Sequence, residues 1–269
     1  MPAISPAPEY CPIDRRAPTV RPTENAIGYH RWTDLLFVHW RFPAAVVRPL
    51  LPAELTLDTW EGDAWVGLVP FCMSRVRPWW SPPVPGISYF CETNVRTYVH
   101  FRGRDPGVWF FSLDASNSLA VRVARWRWHL PYFRAEMSLA RSGDRVRYSS
   151  HRLWPGTAGP GCTIRTTVGP PLGHETPARA LPAGRALPGT LEYFLIERYI
   201  LYASPAPGRL LAGRVHHRPY PIREAQLEEL DETLLAATGL APPSPPCHMA
   251  FSDGVDVDIF PLRPVRADQ

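Results

Sequence analysis

Apolar positions along this chain come in short blocks, and inside the blocks the alternation is mostly of period two. Residues 35–40 form a compact apolar run that predicts a buried strand. Residues 64–76 read as a further strand, interrupted near Pro70 because proline has no N–H for a ladder. The clearest alternation spans residues 89–101. Cys91, Thr93, Val95, Thr97, Val99 and Phe101 fall on one face, and Phe90, Glu92, Asn94, Arg96, Tyr98 and His100 on the other. The turn residues 102–107 fold the chain back into a strand at 108–113. A second hairpin joins 132–140 and 145–153 across Ser142-Gly143-Asp144, and further strands are expected near 55–58, at 162–168, at 210–217 and at 255–259.

Helical spacing is rarer. A short turn fits 43–47, with proline where its missing N–H is harmless. Residues 114–126 suggest a short helix with Asp114 or Ser116 as N-cap. Residues 191–202 carry an apolar stripe at Leu191, Phe194, Leu195, Ile196 and Tyr199. The most regular helical pattern lies at 223–238, with Leu227, Leu230 and Leu234 on one face and Gly239 as the stop. Many short strands, a few helices and no regular βα alternation predict an α+β, mainly β architecture built on a β-barrel. Residues 1–28 carry six prolines and read as an irregular arm, 29–262 as a single domain and 263–269 as a tail. A proline- and glycine-rich loop is expected at 169–189 and a stiff PPSPP connector at 242–246.

Composition sharpens this picture in three places. Prolines number 33 of 269, well above the usual ~5%, which disfavours long helices. Every basic residue among the 29 Lys+Arg is arginine, so no side chain can form an imine with a carbonyl substrate. The five cysteines (Cys11, Cys72, Cys91, Cys162 and Cys247) are scattered without a CxxC pair. That pattern predicts neither a disulfide framework nor a zinc site, and suits a reducing, cytoplasmic setting. No signal peptide is visible, and the best uncharged apolar run, 35–38, is too short to cross a bilayer, so no membrane partner is expected. A net charge of +4, without runs of like charge, predicts no nucleic-acid partner. No HExxH, GxSxG, GxxxxGK[ST] or GxGxxG motif occurs, so neither metal nor cofactor is expected.

Six segments carry a resemblance. They are LLFVHWRFP at 35–43, VRPLLPAELTLDTWEGDAWVGLVPF at 47–71, ETNVRTYV at 92–99, GVWFFSLDAS at 107–116, LPYFRAEM at 130–137 and LEYFLIERYILY at 191–202. In order and spacing they resemble the uncharacterised YqjF-like family, a family without an assigned reaction. That family in turn resembles acetoacetate decarboxylase, which implies a cone-shaped, mostly antiparallel β-barrel with a few peripheral helices and an internal pocket. Around residues 112–116, where the decarboxylase carries its lysine pair, this chain has Ser112-Leu113-Asp114-Ala115-Ser116. The imine mechanism of that family is closed to it.

The polar face of 90–100 is the leading site candidate. Glu92, Asn94, Arg96 and Tyr98 stand about 7 Å apart along one strand face. A guanidinium among a carboxylate, an amide and a phenol suits a small carboxylate or carbonyl ligand, with Arg96 as the two-pronged anchor. If buried, Arg96 and Glu92 must pair with each other, with Arg198, or with a ligand. Arg198 and Tyr202, four apart on the expected helix 191–202 beside Glu197, could close such a pocket. Arg122 and Arg125 near Trp126 and Trp128 are expected to be solvated arginines of an amphipathic helix, His39 a satisfied core histidine, and the adjacent His216 and His217 too divergent to share a metal. Two functions follow from this pattern. One is an enzyme acting on small carboxylic or keto acids without a Schiff-base lysine. The other is a non-catalytic small-molecule-binding or sensing barrel.

Overall fold

A computed structural model describes residues 13–155, 159–172 and 184–266. The chain is mostly strand, and its strands pair into a sheet that closes on itself. β1 (Gly28–Pro43) lies antiparallel between β12 (His248–Ile259) and β3 (Asp63–Pro78). β3 pairs with β4 (Phe90–Phe101), which is edged by the two-residue β2 (Thr56–Leu57) and pairs in turn with β5 (Arg104–Ala115). β5 runs parallel to β6 (Tyr132–Ser142). The antiparallel series continues through β7 (Arg145–Trp154), β8 (Gly161–Pro171) and β11 (Ile222–Glu232) back to β12. A hairpin of β9 (Ile200–Ala206) and β10 (Arg209–His217) spans this ring, joining β5 to β12, and β13 (Arg263–Pro264) edges β10.

The crossing hairpin leaves two apolar interiors. β1 shows how one strand serves both: residues 35–40 are all buried. Leu36, Val38 and Trp40 enter the interior shared with Tyr148 and Ile164, whereas Leu35 and Phe37 enter the one shared with Phe194, Val215 and Tyr220. A strand covered on both faces reads as a continuous apolar run rather than an alternating one.

Helices are short and peripheral. α1 (Ala44–Val47) follows Pro43 as expected. α2 (Ser118–Val123) runs on into a single wide turn at Ala124–Trp128. Its cap is Asn117, whose side chain accepts from the N–H groups of Leu119 and Ala120, and not Asp114 or Ser116. Asp114 belongs to β5 instead.

Other elements depart from their sequence pattern for identifiable reasons. The segment 223–238 is not a helix: it forms β11 and then a single tight turn at Ala236–Thr238, ended by Gly239 at a φ of 87°. A β-bulge between Leu227 and Glu229 inserts one residue, so Leu227 and Leu230, three apart, face the same core. The bulge thereby imitates helical spacing. The helix expected at 191–202 is only α3 (Leu191–Ile196), capped by the Thr190 hydroxyl, and the chain leaves it at Glu197 to enter β9. β3 is not interrupted at Pro70, which keeps its place opposite Thr93. Pro70 is tolerated because β1–β3 pairing is broken between Thr33 and Val38, so its missing N–H disturbs no regular rung on that side. Two of the scattered cysteines meet: Cys72 and Cys91 are directly opposite on β3 and β4 and form a disulfide. Their separation of 19 residues conceals a hairpin neighbourhood. The expected loop at 169–189 lies partly outside the described residues.

The larger interior holds one buried ion pair. Arg152 on β7 donates from Nε and Nη2 to Asp114 Oδ1 at 3.0 and 2.7 Å, with its guanidinium 3.6 Å from the Phe133 ring centre. Burial pushes the Asp114 carboxyl up, against the pull of Arg152 and Ser150. Removing one partner of such a pair leaves the other desolvated and unpaired. Arg152→Met is therefore expected to lower stability by roughly 3–5 kcal/mol in urea unfolding, and adding Asp114→Leu to restore most of the loss.

Candidate functional site

The polar face of β4 points into the smaller interior, opposite α3. At its far end Glu92 accepts the Tyr132 hydroxyl at 2.7 Å, with Asn94 next to it on the same face. Burial pushes the Glu92 carboxyl up to about 7, and the neighbouring Tyr132 and Asn94 side chains only partly offset it. The Asn94 Oδ1 is buried without a partner among the described residues. Arg96 comes next. It donates from Nη2 to the Leu195 carbonyl at 3.0 Å and rests against the rings of Phe37 and Tyr98. Its Nε is also buried and unpartnered, and no described carboxylate lies within ion-pair distance of it. Arg96 is the one partly exposed residue in the stretch 92–101, whose other residues are buried.

Beyond Arg96 a chain of hydrogen bonds leads outward. Tyr98 Oη lies 2.8 Å from the Leu195 carbonyl, 2.7 Å from His39 Nε2, and His39 Nδ1 lies 3.0 Å from His248 Nδ1. A carbonyl can only accept, so the Tyr98 proton goes to Leu195. His39 must then donate from Nε2 to Tyr98, leaving Nδ1 as an acceptor, and His248 must donate from Nδ1. Burial holds both rings below the usual histidine range. His39 lies well below it, with help from His248 and Arg96, and His248 near 4 despite the Glu192 carboxylate. Gly67 makes room for this contact. It stands opposite His39 on β1 and opposite Arg96 on β4, and a Cβ there would lie 2.9 Å from the His39 ring and 3.4 Å from Tyr98 Oη.

Arg198 lies near this ladder, and Tyr202 does not. Arg198 is buried 5.0 Å from the Tyr98 ring, donating to Asp58 at 2.8 Å and to the Phe194 carbonyl at 2.6 Å. Arg15, from the N-terminal arm, grips the same Asp58. Tyr202 packs into the larger interior and donates to the Asp105 carbonyl at 2.7 Å, because the chain is a strand by that point. Neither Glu92 nor Arg198 is paired with Arg96.

One group escaped the sequence reading of the site. Tyr132, in the LPYFRAEM segment, reaches Glu92 only through the parallel pairing of β6 with β5. Glu197 accepts from the Tyr220 N–H at 3.0 Å and from the Tyr199 hydroxyl, and burial raises its carboxyl to about 7. The His217 ring lies 4.4 Å from Tyr199 and 4.5 Å from Tyr220 by ring centres, with Nε2 buried and unpartnered. No described group of three His, Cys, Asp or Glu side chains is placed to hold a metal.

Two measurements check this geometry. Nitrogen-15 spectra at neutral pH are expected to show His39 as the Nε2–H tautomer and His248 as the rarer Nδ1–H tautomer; His248 as Nε2–H would break the chain. Glu197 supplies a pH test. A carboxyl raised from 4.5 to about 7 on folding binds its proton more tightly when folded. Its contribution is full below pH 4.5 and is lost as the pH rises to about 7. Wild type should therefore lose stability relative to Glu197→Gln across that window in paired denaturant titrations.

Comparison with known proteins places this geometry. Residues 29–256 match the model of the DUF2071 family, described as an uncharacterized conserved protein. The chain is 35% identical over 232 residues to the uncharacterized protein YqjF of Bacillus subtilis (strain 168), covering 86% of this chain and 90% of that one. Among solved structures, the enduracididine biosynthesis enzyme MppR complexed with pyruvate aligns with a TM-score of 0.58 at 14% identity, over 92% of this chain and 93% of that one. Acetoacetate decarboxylase from Legionella pneumophila aligns with a TM-score of 0.57 at 14% identity, over 97% and 92% of the two chains. At that identity the likeness is one of fold. The chain belongs to the DUF2071 family, to which YqjF is its relative, and it carries the acetoacetate decarboxylase-like fold.

Proposed function

We propose that the polar face of β4 binds a small carboxylic acid, anchored by Arg96, and that the protein is an enzyme acting on such acids by proton transfer at Glu92. The observation that carries this reading is the pair of unsatisfied atoms on neighbouring same-face positions. Arg96 Nε is a donor in need of an acceptor, and Asn94 Oδ1 an acceptor in need of a donor. Both are desolvated, and each unmet bond costs free energy. A carboxylate beside a hydroxyl, as in a hydroxy acid or the enol of a keto acid, satisfies both. Glu92, the one carboxylate on the same strand face, does not take up Arg96, which favours a ligand.

Glu92 supports the catalytic part. A carboxyl near 7 can both take and return a proton at neutral pH, which is the condition for general acid–base work. Tyr132 orients it, and Ala115 lies opposite it on β5, so no amine competes for a carbonyl there. The pyruvate named with the MppR structure supports the same ligand class. The reaction fitting these groups is removal of a proton next to the ligand's carbonyl, with the enolate oxygen held by donors and no covalent intermediate. Without lysine, borohydride treatment in the presence of acetoacetate should label no side chain.

Calorimetry with pyruvate, lactate and acetoacetate tests the binding. Arg96→Ala is expected to weaken it by roughly 2–5 kcal/mol, Arg96→Lys to restore part, and Arg122→Ala to change little. Catalysis is read from exchange of the pyruvate methyl protons in heavy water, lost in Glu92→Gln. Binding without exchange would leave a ligand-binding protein; the absence of binding by every acid would remove the site itself.

A further inference from the structure

We propose that the outward face of the helical segment 118–128 docks on an anionic lipid surface, seating the protein on a membrane without crossing it. The segment turns the wrong side to solvent. Val121 is buried beneath it, while Leu119, Val123 and Trp126, spaced four and three apart, are 51%, 46% and 77% exposed. Apolar residues at that spacing make one stripe along a helix, and here the stripe faces water. It is not isolated. The Asn117 side chain donates to the carbonyls of Gly86 and Ile87, which fixes the exposed Ile87 beside the stripe. The exposed Trp154 lies under the Arg125 guanidinium at 5.4 Å, on the other flank.

The charge on this face has one sign. Arg122, Arg125 and Arg127 are exposed around the stripe, and no Asp or Glu occurs from residue 115 to 135 or from 64 to 91. Of the acidic residues next in sequence, Glu92 and Asp114 are buried and already bonded, Asp63 is paired with Arg41, and Glu136 on β6 is the one that is exposed. A convex apolar stripe with an indole at its end and guanidinium groups along its sides is the composition of a helix lying in a headgroup layer. The apolar side chains enter the acyl boundary while the arginines meet lipid phosphates and acidic headgroups. Other occupants fit less well. A second copy meeting this face symmetrically would set arginine against arginine. A nucleic acid would meet Leu119, Val123 and Ile87, which cannot stack on bases as aromatic rings do. Sequence alone predicts no membrane partner because no segment can span a bilayer, and no described helix is long and apolar enough to do so. Docking on a surface needs no span.

The test is sedimentation of the full chain with vesicles of phosphatidylcholine alone or mixed with phosphatidylserine. Wild type is expected to pellet with the mixed vesicles, to stay in solution with phosphatidylcholine alone, and to be released by added salt. Trp126→Ser, at a side chain already in water, should lower the partition coefficient about tenfold. The Arg122→Glu, Arg127→Glu double variant should abolish binding, with thermal melting of both variants unchanged. Wild type that stays in solution with mixed vesicles overturns the proposal. So do variants that bind as well as wild type, a dimer that Trp126→Ser dissolves, or duplex DNA that binds the stripe more tightly than lipid.

Discussion

Burial of the central strands on both faces is the constraint on which the rest of this structure depends. β1, β3 and β4 sit between two interiors because the β9–β10 hairpin crosses the closed sheet. A strand in that position has no wet side on which to leave polar groups. Every polar side chain it carries must find a partner or remain unsatisfied at a cost. The ladder on β4 follows from this. Glu92 takes Tyr132, Tyr98 takes Leu195 and His39, and the groups between them, Asn94 and Arg96, are left with unmet capacity. A polar row kept in such a place opposes stability, which is why its chemistry is the natural place to seek function.

The two interiors have divided their tasks. The larger one is closed with aliphatic and aromatic side chains and a single buried ion pair, Asp114 with Arg152, that satisfies itself. The smaller one gathers the unsatisfied donors and acceptors, two carboxyls raised to about 7, and the histidine chain. Arg198 marks the border. It is buried and charged, and its bonds to Asp58 and to the Phe194 carbonyl fix it between α3 and the arm residue Arg15, while its Nη2 is left without a partner among the described residues.

How far the sequence revealed this depended on whether an element carried its own pattern. The strand at 90–101 was legible residue by residue, because the alternation of Glu92, Asn94, Arg96 and Tyr98 with Thr93, Val95 and Thr97 survives unbroken. β11 was not, because its bulge places Leu227 and Leu230 three apart and so writes helical spacing into a strand. Residues 191–202 misled in another way. The apolar stripe is genuine, but four of its five positions lie in α3 and the fifth, Tyr199, lies past its end just ahead of β9, and nothing at Glu197 signals the change as a glycine or proline would. Helical spacing would set Tyr202 beside Arg198 at the site, whereas as part of β9 it faces the other core. Contacts made by sheet closure, such as Tyr132 with Glu92 or Cys72 with Cys91, depend on which strands become neighbours, and local periodicity does not carry that information.

Gly67 ties the sheet to the polar chain more tightly than any side chain does. It is the rung between His39 and Arg96, and the space its missing Cβ leaves is filled by the His39 ring. Any larger residue there would collide with that ring while its neighbours Val66 and Leu68 stayed packed in the larger interior. The fold could survive the exchange by giving up the imidazole. Positions 39 and 67 are thus tied to each other by space: a side chain at the second is compatible only with something smaller than imidazole at the first.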